Sequence, residues 1–600
     1  MHLRSWKPTV DIIQHANITH FMSACGFQDV RSFHRWTITD NQAFWSRVME
    51  TLAIQLKTKP NQLCNLSRGI ASPTWLPGAK MNIVDSCFGA DAKSIAIIDH
   101  DSQKTYRITY GELNALSNQI ANALIAHGLK QGDGIAIVMP MNRYAVAAYL
   151  GIIKMGGVVV SIADSFSSQE IATRLNIANT KAVFTQNTTQ WAKKILTLYQ
   201  KIVEAKAPFT IIVAEDHTAI KKRENDRVWH DFLKNASLQF NTIACDPMST
   251  CNILFSSGTT STPKAIPWNH TTPIKVASDA YFHQDIKPGD VLAWPTSLGW
   301  MMGPWLLFAA FMHHATLALY TNSPNEKAFG QFVQDAKVTM LGVVPTLVAH
   351  WHESKCMEGL DWHTIKVFSS TGECSNANDM AYLMSLGGGK PIIEYCGGTE
   401  IGGAYLSSTV VQENIPSLFS TPTMGMHIVI IDEKGQSTNE GELAIIPPSI
   451  GLSTTLLNQD HHQVYYEKMP RGPHGEILRR HGDAIKQFEN GYYRLLGRMD
   501  DAMKLNGIKT NSAEIERTLA GLPNITELAA VAKSSPDGLS QLIIYIVSSE
   551  NLDKEQTKKI MQDKINKELN PLFKIHDIVF IDALPRTASN KIIHRQLRER

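Results

Sequence analysis

Long apolar runs, a strong net charge, paired cysteines and low-complexity tracts are all missing from this 600-residue sequence, and each absence removes a class of function. The most apolar window, 305–320, is broken by His313 and His314 and is short for a membrane span; it predicts a buried helix running into a strand. Net charge is only +2 with acids and bases intermixed, which offers neither a nucleic-acid stripe nor a polybasic membrane patch, so small molecules are the expected partners. The eight cysteines (Cys25, Cys64, Cys87, Cys245, Cys251, Cys356, Cys374, Cys396) form no C-x-x-C pair and no zinc-type spacing, and read as free thiols of a reducing compartment. The first residues lack the continuous apolar stretch of a secretory signal, which predicts a protein kept inside the cell. Arg598-Glu599-Arg600 is not a Ser-Lys-Leu type address, which favours the cytoplasm. With 44% hydrophobic residues the chain has ample core and is too long for one domain.

Periodicity divides what is present. Ile135 to Met139, a helical run from Tyr144 to Met155, and Val158 to Ile162 read as strand, helix, strand, with further apolar runs at Ala182 to Thr185 and Thr210 to Val213. Repeating units of this kind predict a mostly parallel sheet covered by helices on both faces. The same grammar at Val338 to Val344, Ile365 to Phe368 and Ile392 to Tyr395 predicts a second parallel sheet. Around and beyond Asp432 the pieces shorten (His427 to Ile431, Glu442 to Ile446, Glu476 to Arg479, Tyr492 to Leu496) and alternate with turn residues, as in a small β-subdomain. After Asp500 the pattern predicts a helix over 513–519, strands at 529–532 and 542–547, a helix over 554–569 and a strand at 578–581, enough for a separate α+β domain. The expected fold class is α/β.

The most informative stretch is Ser256-Ser257-Gly258-Thr259-Thr260-Ser261-Thr262-Pro263-Lys264, which turns polar directly after the apolar run Asn252 to Phe255. A hydroxyl-rich, Gly-containing loop after a buried strand supplies backbone N–H groups, short hydroxyl donors and one ammonium, the set that holds the β- and γ-phosphates of ATP. Taken alone, such a run also describes an ordinary solvated loop. Four further segments decide between the two: Tyr395-Cys396-Gly397-Gly398-Thr399-Glu400, His481-Gly482-Asp483, Gly497-Arg498-Met499-Asp500-Asp501 and Pro585-Arg586-Thr587-Ala588-Ser589-Asn590-Lys591.

In this order and separation the five segments resemble the motif series of the adenylate-forming acyl-CoA synthetase superfamily, over nearly the whole chain from about residue 75. The text around them, such as Lys264-Ala265-Ile266-Pro267-Trp268, resembles the acyl-activating enzymes of plant peroxisomes. Phe44-Trp45-Ser46-Arg47-Val48 and Trp75-Leu76-Pro77-Gly78 resemble the N-terminal extension of acetyl-CoA synthetases. The resemblance implies an extension over 1–75, a large adenylate-forming domain over 76–499 and a mobile domain over 500–600. It also implies an acid–thiol ligase: a carboxylate and ATP give an acyl-adenylate and pyrophosphate, then coenzyme A gives acyl-CoA and AMP, with Mg²⁺ as cofactor.

The roles it implies are specific. Lys591 serves the α-phosphate and the substrate carboxylate during adenylation, Thr399 meets the α-phosphate, and Glu400 is the Mg²⁺ ligand. Ser256, Ser257, Gly258, Thr259, Thr260 and Lys264 hold the outer phosphates; Asp483 accepts from both ribose hydroxyls, with Arg498 as second ribose contact or as partner of a structural ion pair. Adenine rests against Gly372, Glu373, Cys374 and Tyr395. Asp500 is the hinge on which the last domain swings, bringing Lys509 and the Gly507 loop to the cleft for coenzyme A. Trp300, Met301 and Met302 wall the acyl pocket, the two methionines serving equally well as ordinary core. Acetyl- and propionyl-type synthetases close that pocket with a Trp where this chain has Gly397, so an acid larger than acetate is expected.

Departures from the family pattern lie at Ser261, Ala265 and Asn590, each where Gly is usual, at Cys374 in place of Pro, and at His481 in place of Thr, which reads as structural. A left-handed backbone at Ser261 would cost about 1–2 kcal/mol and loosen the loop. Two other readings stay open: a ligase that loads a carrier protein, and a non-catalytic nucleotide- or acyl-binding regulator built on the same fold.

Overall fold

The computed structural model describes residues 5–101, 104–214, 220–256, 262–505, 508–534, 540–587 and 591–600. The chain forms two compact units, Met1–His427 with Ile446–Lys468, and Ile428–Ile445 with Met469–Arg600. A boundary at 500 therefore falls inside the second unit.

The first unit contains both expected parallel sheets. One orders its strands Arg227–Val228, Phe209–Val213, Ala182–Gln186, Gly134–Val138, Val158–Ser161, Thr250–Ser256 and Lys264–Asn269, all parallel except the last pair. Gly134–Val138 and Val158–Ser161 are buried along their whole length, which is why they read as unbroken apolar runs. The helix between them, Arg143–Lys154, starts where the Asn142 side chain accepts from the N–H groups of Tyr144 and Ala145 at 3.1 and 3.0 Å.

The second sheet has nine strands and is parallel from Ile95–His100 through Thr316–Tyr320, Val291–Ala293, Met340–Val343 and Val367–Ser370 to Ile392–Gly398. Gly403–Ser407 and Thr421–Pro422 extend it antiparallel beyond Ile392–Gly398. The apolar window is the buried helix Met302–Phe311 followed by the strand Thr316–Tyr320. Four helices open the chain, and their rings Phe21, Phe33 and Phe44 pack on Phe282 of helix Thr272–Phe282, with centroids at 4.9, 5.9 and 5.8 Å.

The second unit begins with an antiparallel sheet of His427–Ile431, Glu440–Ile446, Arg479–Gln487 and Tyr493–Arg498. The strand expected over Glu476 to Arg479 is displaced: it starts at Arg479 and carries His481, Gly482 and Asp483. Residues 472–476 instead close a turn, with Gly472 N–H donating to the Glu476 carbonyl at 3.0 Å and His474 N–H to its carboxylate at 2.8 Å. A hairpin, Ala502–Leu505 with Ile508–Asn511, leads into helix Ser512–Leu519 and a three-stranded sheet of Ile525–Ser534, Ser540–Ser548 and Ile575–Phe580, backed by helix Lys554–Glu568. Ile515, Leu519, Ile544, Met561, Ile565 and Ile578 form its core. Among the described residues no helix is long and apolar enough to cross a membrane, and none of the eight cysteines is in a disulfide.

Four histidines of the first unit have their pKa lowered to about 4 by desolvation: His270, His283 and His313, which are buried, and His34, which is half-buried. His283 shows the neutral form directly: its Nε2 accepts from Met424 N–H at 3.4 Å, so Nδ1 is the donor to the Ser408 carbonyl at 3.0 Å. A folded-state pKa below the unfolded value gives stability that is complete above the unfolded value of about 6.5 and lost as pH falls toward 4. Each histidine should withdraw on the order of 1–2 kcal/mol by pH 5. Thermal denaturation should therefore show a midpoint falling steeply between pH 7 and pH 5; a flat midpoint across that window would contradict the burial of these rings as neutral groups.

Candidate active site

Strand Thr250–Ser256 ends at Ser256, and Lys264–Asn269 pairs antiparallel with it at one edge of the first sheet. Ser257, Gly258, Thr259, Thr260 and Ser261 lie outside the described residues. The exit is clamped: Asn458 Oδ1 accepts from Ala265 N–H at 3.0 Å, and Asn458 Nδ2 donates to the Pro263 carbonyl at 2.8 Å. Ala265, where the family has Gly, is fully buried in its strand without strain at φ. Lys264 Nζ stands 4.0 Å from Glu400 Oε1 and 5.3 Å from the Tyr465 ring centroid. The structure thus brings together Lys264 and Glu400, 136 positions apart in sequence.

Glu400 sits on a single turn, Thr399–Ile401, between strands Ile392–Gly398 and Gly403–Ser407. Its backbone is held from outside: Trp268 Nε1–H donates to the Thr399 carbonyl and Ser453 N–H to the Glu400 carbonyl, each at 2.8 Å. Beneath the turn lies a buried polar network. Asp279 Oδ1 takes the Lys275 ammonium at 2.5 Å, while Oδ2 accepts from Tyr395 Oη at 2.6 Å and from Ala404 N–H at 3.0 Å. Trp305 Nε1–H donates to Tyr395 Oη at 2.9 Å, and Lys275 Nζ to Thr423 Oγ1 at 3.0 Å. Burial drives the Lys275 pKa down, against the pull of Asp279, and raises the Tyr395 phenol well above its ordinary value.

This network corrects one expectation. Tyr395 does not offer a ring face to adenine: strand alternation turns it inward, its relative exposure is 1%, and its hydroxyl is spent on Asp279. Gly372, Glu373 and Cys374 do follow the carboxyl end of strand Val367–Ser370, the neighbour of Ile392–Gly398. Gly372 has φ +102, a conformation suited to glycine, and Glu373 Oε2 accepts from Thr346 N–H at 3.2 Å at the start of helix Pro345–Ser354. Lys275, Asp279, Trp268, Trp305 and Asn458 were not anticipated; only the i,i+4 spacing of Lys275 and Asp279 was a readable sign, and it does not disclose burial.

In the second unit Asp483 and Arg498 are register partners on strands Arg479–Gln487 and Tyr493–Arg498. Arg498 Nη1 donates to Asp483 Oδ1 at 3.0 Å, and His481 Nε2 lies 3.4 Å from Asp483 Oδ2. Asp483 is buried while the Arg498 side chain is half exposed. Asp500 lies on the turn Met499–Asp501, and Lys509 on strand Ile508–Asn511 opposite Lys504; both side chains lie outside what is described. Gly507 and Asn590 also lie outside the described residues. Lys591 is exposed on a closed loop in which Thr587 N–H donates to the Lys591 carbonyl at 2.8 Å and Lys591 N–H to Thr587 Oγ1 at 3.1 Å.

Residues 89–452 match the family described as AMP-binding enzyme. The chain belongs to that family. Residues 514–591 match the AMP-binding enzyme C-terminal domain, and 30–87 the acetyl-coenzyme A synthetase N-terminus. Among relatives, the probable acyl-activating enzyme 17, peroxisomal, of Arabidopsis thaliana is 41% identical over 595 residues, covering 95% of this chain and 82% of its own. The hexanoyl-CoA synthase of Cannabis sativa is 41% identical over 597 residues, covering 94% and 82%. The acetyl-coenzyme A synthetase of Escherichia coli strain K12 is 26% identical over 612 residues, covering 95% and 91%. The acetoacetyl-CoA synthetase of Streptomyces lividans superposes with a TM-score of 0.89 at 22% identity, covering 98% of this chain and 93% of its own, which shows a shared fold.

For this AMP-binding enzyme the acyl-pocket expectation at Gly397 needs correction. A Cβ at Gly397 would stand 1.9 Å from the Gly403 carbonyl oxygen and 2.5 Å from Ala404 Cα, at a register shift between the two strands. The space an indole would need is filled by backbone, so glycine serves here for close approach. Trp300 packs on Phe166 at 5.4 Å and on the core of the first sheet, and Met302 is buried at the start of helix Met302–Phe311. Gly397→Ala and Gly397→Trp should each lower the melting midpoint, overpacking costing about 1–3 kcal/mol or more, and lower kcat/KM for every acid alike. A Gly397→Trp protein of unchanged stability that turns selectively to acetate would contradict this.

Proposed function

We propose that the chain is an AMP-forming acid–CoA ligase. A carboxylate oxygen attacks the α-phosphorus of ATP and pyrophosphate leaves; the thiolate of coenzyme A then attacks the acyl carbon of the adenylate, and AMP leaves with the bonding pair. The observation that carries this reading is the approach of Lys264 and Glu400 beside Thr399, on a turn at the carboxyl end of a parallel strand, in a chain of the AMP-binding enzyme family. A cation, a carboxylate and a hydroxyl together suit a nucleotide that loses two of its phosphates.

Each group has one task in the proposal. The loop Ser256 to Thr260 and Lys264 bind the β- and γ-phosphates, Gly372 to Cys374 border the adenine, and Asp483 with Arg498 takes the ribose. Glu400 would hold Mg²⁺, which when bound would supply positive charge to the phosphates. The donor present suits that ion: Glu400 is a hard carboxylate within 4.0 Å of Lys264, and Mg²⁺ commonly takes one carboxylate and draws its other ligands from phosphates and water. Lys591 steadies charge on the α-phosphate during adenylation; Lys509 and the Gly507 loop serve coenzyme A after a swing about Asp500. The cytoplasm is the proposed compartment, supported by eight cysteines outside disulfides.

An acid larger than acetate is proposed as substrate. Gly397 no longer supports this; the relative named hexanoyl-CoA synthase does. Burial of each added methylene contributes about 0.8 kcal/mol, so kcat/KM should rise from acetate to hexanoate by about 10². A homologous acid series with AMP and acyl-CoA as readouts tests both points. Acetate as the best acid would remove the size reading, and ADP as product would remove the ligase mechanism.

Lys591→Ala should slow adenylation about 10²–10³-fold while sparing thioester formation from preformed acyl-adenylate. Equal losses in the two half-reactions, measured separately, would contradict a role confined to the first step.

A further inference from the structure

His594 begins the last helix, three residues after Lys591, and is held from two sides. Its Nε2 lies 2.7 Å from Glu516 Oε1 on helix Ser512–Leu519, and its Nδ1 lies 3.5 Å from Asp501 Oδ2, at the end of the turn Met499–Asp501. Asp501 Oδ1 in turn receives Arg598 Nη2 at 2.6 Å from the next turn of the same short helix. Glu516 Oε1 also accepts from Ala530 N–H at 2.8 Å, which fixes the carboxylate against strand Ile525–Ser534. The imidazole is 11% exposed, so both its nitrogens need partners inside the protein. Burial opposes its charge, yet the two carboxylates prevail and raise its pKa to about 10, which makes it an imidazolium at neutral pH.

The Lys591 loop is tied at its base. Ile593 N–H donates to the Pro585 carbonyl at 2.8 Å, and Arg586 Nη2 pairs with Glu527 at 3.0 Å. Leu597 is fully buried, and its carbonyl accepts from Tyr545 Oη at 3.0 Å. Between these anchors His594, together with Arg598, joins the loop to Asp501 at the end of the turn Met499–Asp501, and of the two His594 is nearer to Lys591 and alone reaches Glu516 as well.

We propose that His594 is a positioning residue: a doubly held imidazolium that fixes the Lys591 loop to Asp501, so that lysine and turn move as one piece. The inference rests on the assignment of Lys591 to adenylation. The strut serves only the step in which Lys591 acts, and any cation that spans the two carboxylates can replace it.

The test measures both half-reactions in the full-length protein: pyrophosphate release from acid and ATP without coenzyme A, and thioester formation from preformed acyl-adenylate. His594→Ala should lose about 10²-fold in adenylation and keep thioester formation within about threefold, while His594→Arg should restore most of the adenylation rate. Thioester formation also reports folding in the same sample. Equal losses in both half-reactions, or no rescue by Arg, would reduce His594 to a structural residue and overturn the inference. Lys591→Ala separates the two ideas. If it loses adenylation selectively and His594→Ala does not, the inference alone falls; if Lys591→Ala shows no selectivity, the assignment beneath it falls first.

Discussion

The buried carboxylate of Asp279 is the point on which the placement of Glu400 and Lys264 in the first unit depends. It binds an ammonium, a phenol and a backbone N–H at once, and the last two belong to the strands that enter and leave the turn of Thr399 and Glu400. A buried ion pair of this kind contributes little net stability, because desolvation offsets its Coulomb energy, but removing one partner is costly. Its value lies in geometry. Lys275, Asp279 and Tyr395 satisfy one another only in one register of strands Ile392–Gly398 and Gly403–Ser407, and that register sets where Glu400 stands relative to Lys264.

The second unit meets a similar demand with different means. Asp483 is buried in a strand and fixed by Arg498 and His481. Lys591 is exposed and owes its placement to a closed loop and to the charged cluster of His594, Asp501, Glu516 and Arg598. In the proposed mechanism Asp483 and Arg498, which take the ribose, sit on paired strands, and Lys591, which serves a single step, is carried on a loop.

Much of this was legible in the sequence, and the reasons are physical. Most of the parallel strands in both sheets are buried on two faces, so they appear as unbroken apolar runs, whereas the order in which they pair is not written in those runs. Strand Arg479–Gln487 was not legible over its length, since His481, Gly482 and Asp483 lack both alternation and β-branching. Tyr395 was assigned to the ligand because a motif gives position without side-chain direction; only the strand phase shows that it points inward. Gly397 failed for a related reason. A missing side chain reads as open space, yet the register shift brings the Gly403 carbonyl into that volume, and no one-dimensional pattern records it. Lys275 and Asp279 carried the right spacing for a helical ion pair, and spacing is silent on burial.

The central claim is that this chain activates a carboxylic acid by adenylation before any thiol is needed. Exchange of labelled pyrophosphate into ATP, with a medium-chain acid and Mg²⁺ present and coenzyme A absent, tests it most directly. The account predicts exchange that depends on the acid and is suppressed in Lys591→Ala. Exchange that proceeds without the acid, or that appears only when coenzyme A is added, would contradict it.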